Sequence, residues 1–280
     1  MTRATILIPA HNEAEIIGRT LLHLAFGLSS DAFEIVIIAN GCSDSTASKA
    51  RSVLPNAHII ETEEAGKCNA LNLGYQVADK CKPVVCLDAD LDVTHESLIA
   101  LLDELQSSGA KAACGHMDVR TNEASNLVRT YYKGWRTHPY FDSGKFGGLF
   151  ALSPSAAARI FPLPKITADD EFVRRSFAPG ERVFVQNCKF TARAPKTFSS
   201  LLKVRRRSLR GAREVTSLGL SSPERGSPAA VLGRAMRRPS TMAAVVLFAT
   251  TNLWVRASLA LQKPCGSPTW ERDHTTRSAC

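Results

Sequence analysis

Three carboxylates, Asp88, Asp90 and Asp92, close the apolar run in "VVCLDADLDV" (84–93). A short apolar run bounded by polar residues reads as a buried strand. Acids spaced two apart at its end repel one another unless something positive lies among them. Three arrangements meet that need. One is a solvated turn in which Asp92 or Thr94 caps the next helix, and a second is pairing with the chain's own basic residues. The third is a divalent cation, since Mg2+ takes one or two carboxylates and completes its shell with phosphate and water. A second acidic group, Asp169, Asp170 and Glu171, lies in "ITADDEFVRRSF", just before a predicted helix. A carboxylate within reach of a hydroxyl can act as general base, and acids at a helix start also favour its N-terminus electrostatically.

The elements around these groups alternate. "ATILIPA" (4–10), "FEIVIIA" (33–39), "AHIIET" (57–62) and "PVVCLDAD" (83–90) read as strands, and 110–119 as a fifth. Helical spacing marks Ala14–Leu24, 66–78 and Ser97–Gln106, and Ser43 or Asp44 is placed to cap a helix after the second strand. Strands alternating with helices predict an α/β fold, a mostly parallel sheet flanked by helices. Ligands then sit beyond the carboxyl ends of the strands. "HNE" (11–13), "NGCSDS" (40–45) and "DADLD" (88–92) follow the first, second and fourth strands, so they should converge on one crevice. The glycine signatures of dinucleotide-binding and P-loop proteins are absent.

The net charge of +9 is concentrated. Residues 203–238 hold ten Lys/Arg and two Glu, whereas 1–202 hold 21 basic and 22 acidic residues. A basic segment therefore follows a nearly neutral domain. The stretch 219–228 reads as a linker, and 241–262 is strongly apolar. Its run "TMAAVVLFATTNLWV" stops at Arg256 after 15 residues. That is about 22 Å of helix against a hydrocarbon core of roughly 30 Å. An interfacial helix, a core helix and a span with a snorkelling arginine all remain open. The eight cysteines contain no CxxC pair and read as reduced residues of a cytosolic protein. The residues before the first strand do not read as a secretory leader, in keeping with the expected cytosolic location.

Taken in order, the motifs from about Thr2 to Arg213 resemble those of the family 2 glycosyltransferases, with the nucleotide-sugar-binding fold called GT-A. "IPAHNE" looks like the opening P-x-x-N-E, "ANGCSDST" like D-D-G-S-x-D-x-T, and "GKCNALNLG" like G-K-x-x-A-L-N-x-G. "DADLD" looks like the D-x-D metal motif, and "GGLFALS" and "TADDEF" like the later Gly-Gly and E-D segments. Each is weak alone, and six in family order are strong.

The resemblance implies inverting transfer of a sugar from a nucleotide-diphosphate sugar, expected to be a UDP-sugar, to an acceptor hydroxyl. Mn2+ or Mg2+ would be held by Asp90 and Asp88. Pro9, His11, Asn12 and Glu13 would line the nucleoside, with Glu13 near the ribose. Capping of the first helix is the competing role for Asn12 or Glu13. Asn40 stands where the family has an Asp that meets the base, and Ala39 replaces the acid before it. Asp44 would contact ligand or cap a helix, and Lys67 would lie near the base or diphosphate. Gly147 and Gly148 would let backbone approach sugar or acceptor. The E-D pair falls on Asp169 and Asp170, which makes Asp170 the base and Asp169 its support. Arg207, in "KVRRRSLRG", keeps the arginine of a Q-x-x-R-W segment whose Gln and Trp are missing, which argues against a processive synthase. The expected layout is a GT-A domain over 1–213, with halves 1–121 and 122–213, and a basic, apolar helical appendage over 214–280. Peripheral attachment to the inner face of a membrane would suit a lipid-linked acceptor. Two alternatives remain: a nucleotidyltransferase of similar fold, and a nucleic-acid-binding protein using the basic segment. The first would carry a Gly-rich basic loop where "AHNEAEIIGR" stands, and the second would interleave aromatics with the basic residues.

Overall fold

A computed structural model of the chain describes residues 3–25, 33–138, 146–221 and 241–261. Its strands are β1 (Ala4–Ala10), β2 (Phe33–Asn40), β3 (His58–Thr62), β4 (Val84–Leu87), β5 (Asp92–Val93), β6 (Ala112–Arg120), β7 (Leu149–Leu152) and β8 (Arg182–Arg193). They form one sheet in the order β3-β2-β1-β4-β7-β6-β8-β5. Every residue of β1 and β4 is buried, as expected of strands covered on both faces. Leu7, Val36, Ile38, Val84 and Cys86 face one side and join a core with α3 (Lys67–Val77), α6 (Pro154–Ile160) and α7 (Asp169–Ser176). The alternate residues Ile6, Ile8, Ile37 and Val85 are equally buried on the other side. The remaining helices of this part are α1 (Ile17–Ala25), α2 (Thr46–Val53) and α4 (His95–Ser107).

β1 pairs in parallel with both β2 and β4, and β2 with β3. Their carboxyl ends therefore share one edge, as the polar clusters predict. The sheet is mixed beyond this point, which corrects the expectation of a mostly parallel one. β7 enters antiparallel between β4 and β6, pairing Leu87 with Leu149 and Cys114 with Phe150. This reversal carries Gly147 and Gly148 to the end of β4.

The chain divides into two units, one formed within 1–118 and 144–192 and the other within 119–143 and 193–278. The second contains α5 (Asn126–Trp135), α8 (Phe198–Ser217) and α9 (Met242–Leu261). A boundary at 213 is not observed, because α8 runs through it without a break. The expected apolar helix is present as α9, whereas most of the expected linker lies outside the described residues. Within this unit α5 and α9 meet closely at Gly134. A Cβ there would run into the Ala244 carbonyl oxygen, so only glycine permits the approach. Asn252 of α9 accepts from Arg205 of α8 at 3.1 Å and lies 3.5 Å from the Tyr131 hydroxyl of α5.

Candidate active site

The loops after β1 and β2 are tied to each other by the polar residues that follow the strands. Asn40 is 2% exposed. Its amide nitrogen donates to the carbonyls of Ala10 at 2.8 Å and Ile38 at 3.3 Å, and its oxygen accepts from Gly66 N–H at 2.9 Å. An aspartate could not make the first two bonds, because it lacks donors. Asn40 is thus a buried tie between β1, β2 and the turn into α3, and its inward amide is not offered to a base as the sequence suggested. His11 Nδ1 is 2.5 Å from the Asn40 carbonyl. A carbonyl only accepts, so Nδ1 carries the proton. Asn12, at φ +51°, accepts from Ser43 N–H at 2.7 Å. Asn tolerates this left-handed backbone better than most residues.

Glu13 N–H donates to the Thr46 hydroxyl at 2.8 Å, and Ala14 N–H to Asp44 Oδ2 at 3.1 Å. Asp44 Oδ1 also accepts from Thr46 N–H at 3.0 Å. Burial pushes the Asp44 carboxyl pKa up, but the Thr46 hydroxyl and the Ala14 and Thr46 N–H groups outweigh it and hold it below the usual value. Asp44 therefore steadies the starts of α1 and α2, while Ser45 holds the N-cap position. At the start of α1 the Glu13 carbonyl accepts from the N–H groups of Ile16 and Ile17. Pro9, Glu13 and Asn40 are buried, while His11, Asn12 and Asp44 keep exposed surface.

Lys67 joins the two acidic groups. Its ammonium lies 2.6 Å from Asp88 Oδ1 and 2.9 Å from Asp169 Oδ2. Burial would depress the Lys67 pKa, but the charges of Asp169, Asp88 and Asp170 outweigh it and hold the pKa well above the ordinary value. Asp169 is 3% exposed. Burial pushes its pKa up, the neighbouring Asp88 and Asp170 charges add to that, and Lys67 offsets only part, leaving it at about 6. Asp88 N–H donates to the Gly148 carbonyl at 2.8 Å. A Cβ on Gly148, at φ +89°, would lie 2.5 Å from Asp88 Oδ2. The Gly-Gly turn is thus fitted against the acid itself, a contact that its expected sugar- or acceptor-facing role did not include.

The other two acids of the strand-end trio differ from Asp88. Asp90 is half-buried, and its carboxylate has no partner among the described residues. Asp92 is not in a solvated turn. It is buried in β5 opposite Thr191, with its Oδ1 3.2 Å from Arg19 Nε. Thr94 does cap α4, accepting from Ser97 N–H.

The second acidic group forms the first turn of α7 instead of preceding it. Asp170 accepts from Glu171 N–H at 2.8 Å and is half-buried. Glu171 pairs with Arg174 at 2.8 Å and Arg175 at 2.7 Å, two nearly buried guanidiniums that the sequence reading passed over. Their i+3 and i+4 spacing was the available signal. Arg207 lies half-buried on α8 in the second unit. Burial pushes the Cys86 and Cys188 thiols up, the latter to about 12, which removes them as nucleophiles.

The residues present fit one kind of cation. No three His, Cys, Asp or Glu converge on a metal-sized space among the described residues. The described residues therefore hold no closed structural site of the zinc type. Asp90 and Asp88 instead offer a few hard oxygens at a strand end. This suits a divalent ion that draws its remaining ligands from phosphate and water.

The chain resembles known proteins in sequence and in fold. The chain spans about 81% of a mannosyltransferase from Pyrobaculum calidifontis, solved with GDP-Man and Mn2+, and 94% of the present chain is matched at 20% identity with a TM-score of 0.59. A mannosyl-3-phosphoglycerate synthase from Rubrobacter xylanophilus matches 81% of the chain and 78% of its own at 15% identity, with a TM-score of 0.53. At these identities the likeness establishes the GT-A fold. The glycosyltransferase AglD of Haloferax volcanii is 28% identical over 119 residues, 40% of this chain but only 19% of that protein. Residues 5–162, more than half of the chain, match Glycosyl transferase family 2, and the chain belongs to that family.

Proposed function

We propose that this domain transfers a sugar from a nucleotide-diphosphate sugar to an acceptor hydroxyl with inversion. The observation that carries the reading is the Lys67 bridge, which brings the strand-end acid Asp88 and the helix-start acid Asp169 to one nitrogen. Donor binding and base chemistry would thus share one site. Asp90 and Asp88 would hold Mn2+ or Mg2+, which when bound would stabilise charge on the leaving diphosphate. His11, Asn12 and Asp44 would form the nucleoside wall, held from beneath by Pro9, Glu13 and Asn40. A UDP-sugar is the donor expected from the sequence. The mannosyltransferase above was solved with GDP-Man, and a glucosyl-3-phosphoglycerate synthase from Mycobacterium tuberculosis with UDP-Glc, so both nucleotides belong in the test.

In the reaction the acceptor oxygen bonds to the anomeric carbon, the bond to the diphosphate breaks, and a carboxylate takes the acceptor proton. Two features favour Asp169 over Asp170 as that carboxylate. Asp169 faces the Asp88 end of the site through Lys67, and its raised pKa suits proton uptake near neutrality. Asp170 would then help to set the local field. Donor turnover by full-length protein with Mn2+, over a panel of UDP- and GDP-sugars, tests the whole reading. Asp169→Asn should lower turnover about 10²–10⁴-fold, with nucleotide binding kept, and Asp170→Asn should cost less. The reverse order would return the role to Asp170, and no turnover with any nucleotide sugar would overturn the reading.

We also propose that the second unit rests on the cytosolic face of an anionic membrane through α8 and α9. A lipid-linked hydroxyl would suit that location as acceptor.

A further inference from the structure

Lys67 occupies an unusual place for a cation. It is the first residue of an eleven-residue helix. The dipole and unpaired N–H groups at that end favour negative charge and disfavour an ammonium. Its charge is sustained by acids: two carboxylate oxygens from different elements lie within 3 Å of the one nitrogen. For Asp169, Lys67 is the only partner among the described residues. The position of the helix start is itself fixed, because Gly66, at φ +151°, is anchored by the buried amide of Asn40. The ammonium, by contrast, sits on a flexible four-carbon stem. Asp88 therefore already has a positive partner, although it is also a residue through which a divalent cation would be held.

We propose that Lys67 is a resident counter-ion, holding Asp88 and Asp169 together in the cation-free protein and giving them up when the divalent ion and the donor diphosphate enter. This rests on the reading of Asp88 and Asp90 as cation ligands and adds a coupling to it. The ion and the ammonium compete for the same carboxylate oxygen, and two positive charges a few ångströms apart repel strongly in a partly buried site. The diphosphate offers the displaced ammonium a new anion, and lysine binds phosphate as a mobile point charge. Asp169 loses its ion pair in the same exchange. It becomes available to an acceptor hydroxyl only once the donor is in place. Lys67 is thus a positioning residue that links donor arrival to base availability.

Calorimetry on the full chain tests the exchange without turnover, using Mn2+ alone and then Mn2+ with UDP or GDP. Wild-type protein should bind Mn2+ alone weakly. Lys67→Met should bind Mn2+ alone at least about tenfold more tightly, because the competing charge is gone. Its affinity for nucleotide diphosphate should fall. Equal affinity of both proteins for Mn2+ alone, with wild type still binding Mn2+ plus nucleotide, overturns the exchange and leaves the cation reading standing. Wild type that binds no Mn2+ even with nucleotide overturns both. If Lys67→Met does not fold, the double variant Lys67→Met/Asp169→Asn removes one charge of each sign and should fold and show the same gain. Failure of the double variant to fold overturns the proposal, which gives Lys67 no structural task beyond balancing the two acids.

Discussion

Asp90 is the acid of its trio without a partner among the described residues, since Asp88 has Lys67 and Asp92 has Arg19. Asp90→Asn should therefore cost little stability, within about 0.5 kcal/mol as for a substitution that breaks no contact. It should nevertheless abolish Mn2+-dependent nucleotide binding. Thermal melts and calorimetry with UDP or GDP check the two halves, and wild-type affinity in the variant would remove Asp90 from the cation site. Asp169 makes a pH prediction. Its pKa is raised on folding from 3.8 to about 6. A raised pKa means the native state binds the proton more tightly than the unfolded chain. The stability it contributes is complete below 3.8 and is lost as pH rises through about 6. Asparagine cannot titrate, so Asp169→Asn should gain stability relative to wild type between these limits. Melting both proteins without divalent cation across that range measures the difference. A gap that stays constant with pH would show that Asp169 carries no raised pKa.

Single elements decide how accurately these residues are held, and β7 is the clearest case. Its antiparallel entry beside β4 sets Gly148 against Asp88. Gly148→Ala meets both a left-handed backbone and a carboxylate oxygen at 2.5 Å. It should cost on the order of 1–3 kcal/mol and weaken nucleotide binding by displacing Asp88. Gly180 has open space around its missing Cβ and an ordinary backbone, so Gly180→Ala should melt at or slightly above the wild-type temperature. If the two variants melt alike, the contact with Asp88 is not tight. The reversed strand was not legible in the sequence, because "LFAL" is buried throughout and an apolar run does not encode direction. The parallel strands were legible, since their polar ends recur after each apolar run. The burial of Asp92 was not, because it depends on pairing with Thr191, about a hundred residues along the chain. The inward turn of Asn40 depends likewise on the distant Gly66 N–H. Local signals carried further than they were taken, as the pairing of Glu171 with Arg174 and Arg175 shows.

At the scale of the whole molecule, α9 is the element whose surface the catalytic reading does not use. It has 20 residues, a mean hydropathy of 1.5, and the length and composition to cross a membrane. At 1.5 Å per residue it reaches roughly 30 Å, longer than the 15-residue run before Arg256 suggested. Its sides differ, however. Ala244, Val245, Thr251, Val255 and Leu259 are buried within the second unit, and Asn252 is bonded to Arg205. Val246, Leu253, Trp254 and Leu261 are more than half exposed and recur at spacings of one helical stripe. A helix packed on one side and apolar on the other suits the membrane surface better than a span. Charge points the same way: the Arg206 guanidinium lies 5.3 Å from the Trp254 ring, so the basic helix α8 adjoins the apolar stripe. Tryptophan beside arginine is the pairing expected at headgroup depth. Full-length protein should float with anionic vesicles at low salt and much less with neutral ones. Neutralising Arg206, Arg207 and Arg210 together to Gln should weaken binding about 100-fold, at roughly 1 kcal/mol for each basic residue near an anionic surface. Leu253→Ser with Trp254→Ser should weaken it while leaving the melting temperature near wild type, since both side chains are already exposed. Flotation that ignores lipid charge and both sets of substitutions would remove the membrane from the account, and α9 would then be a packing helix of the second unit.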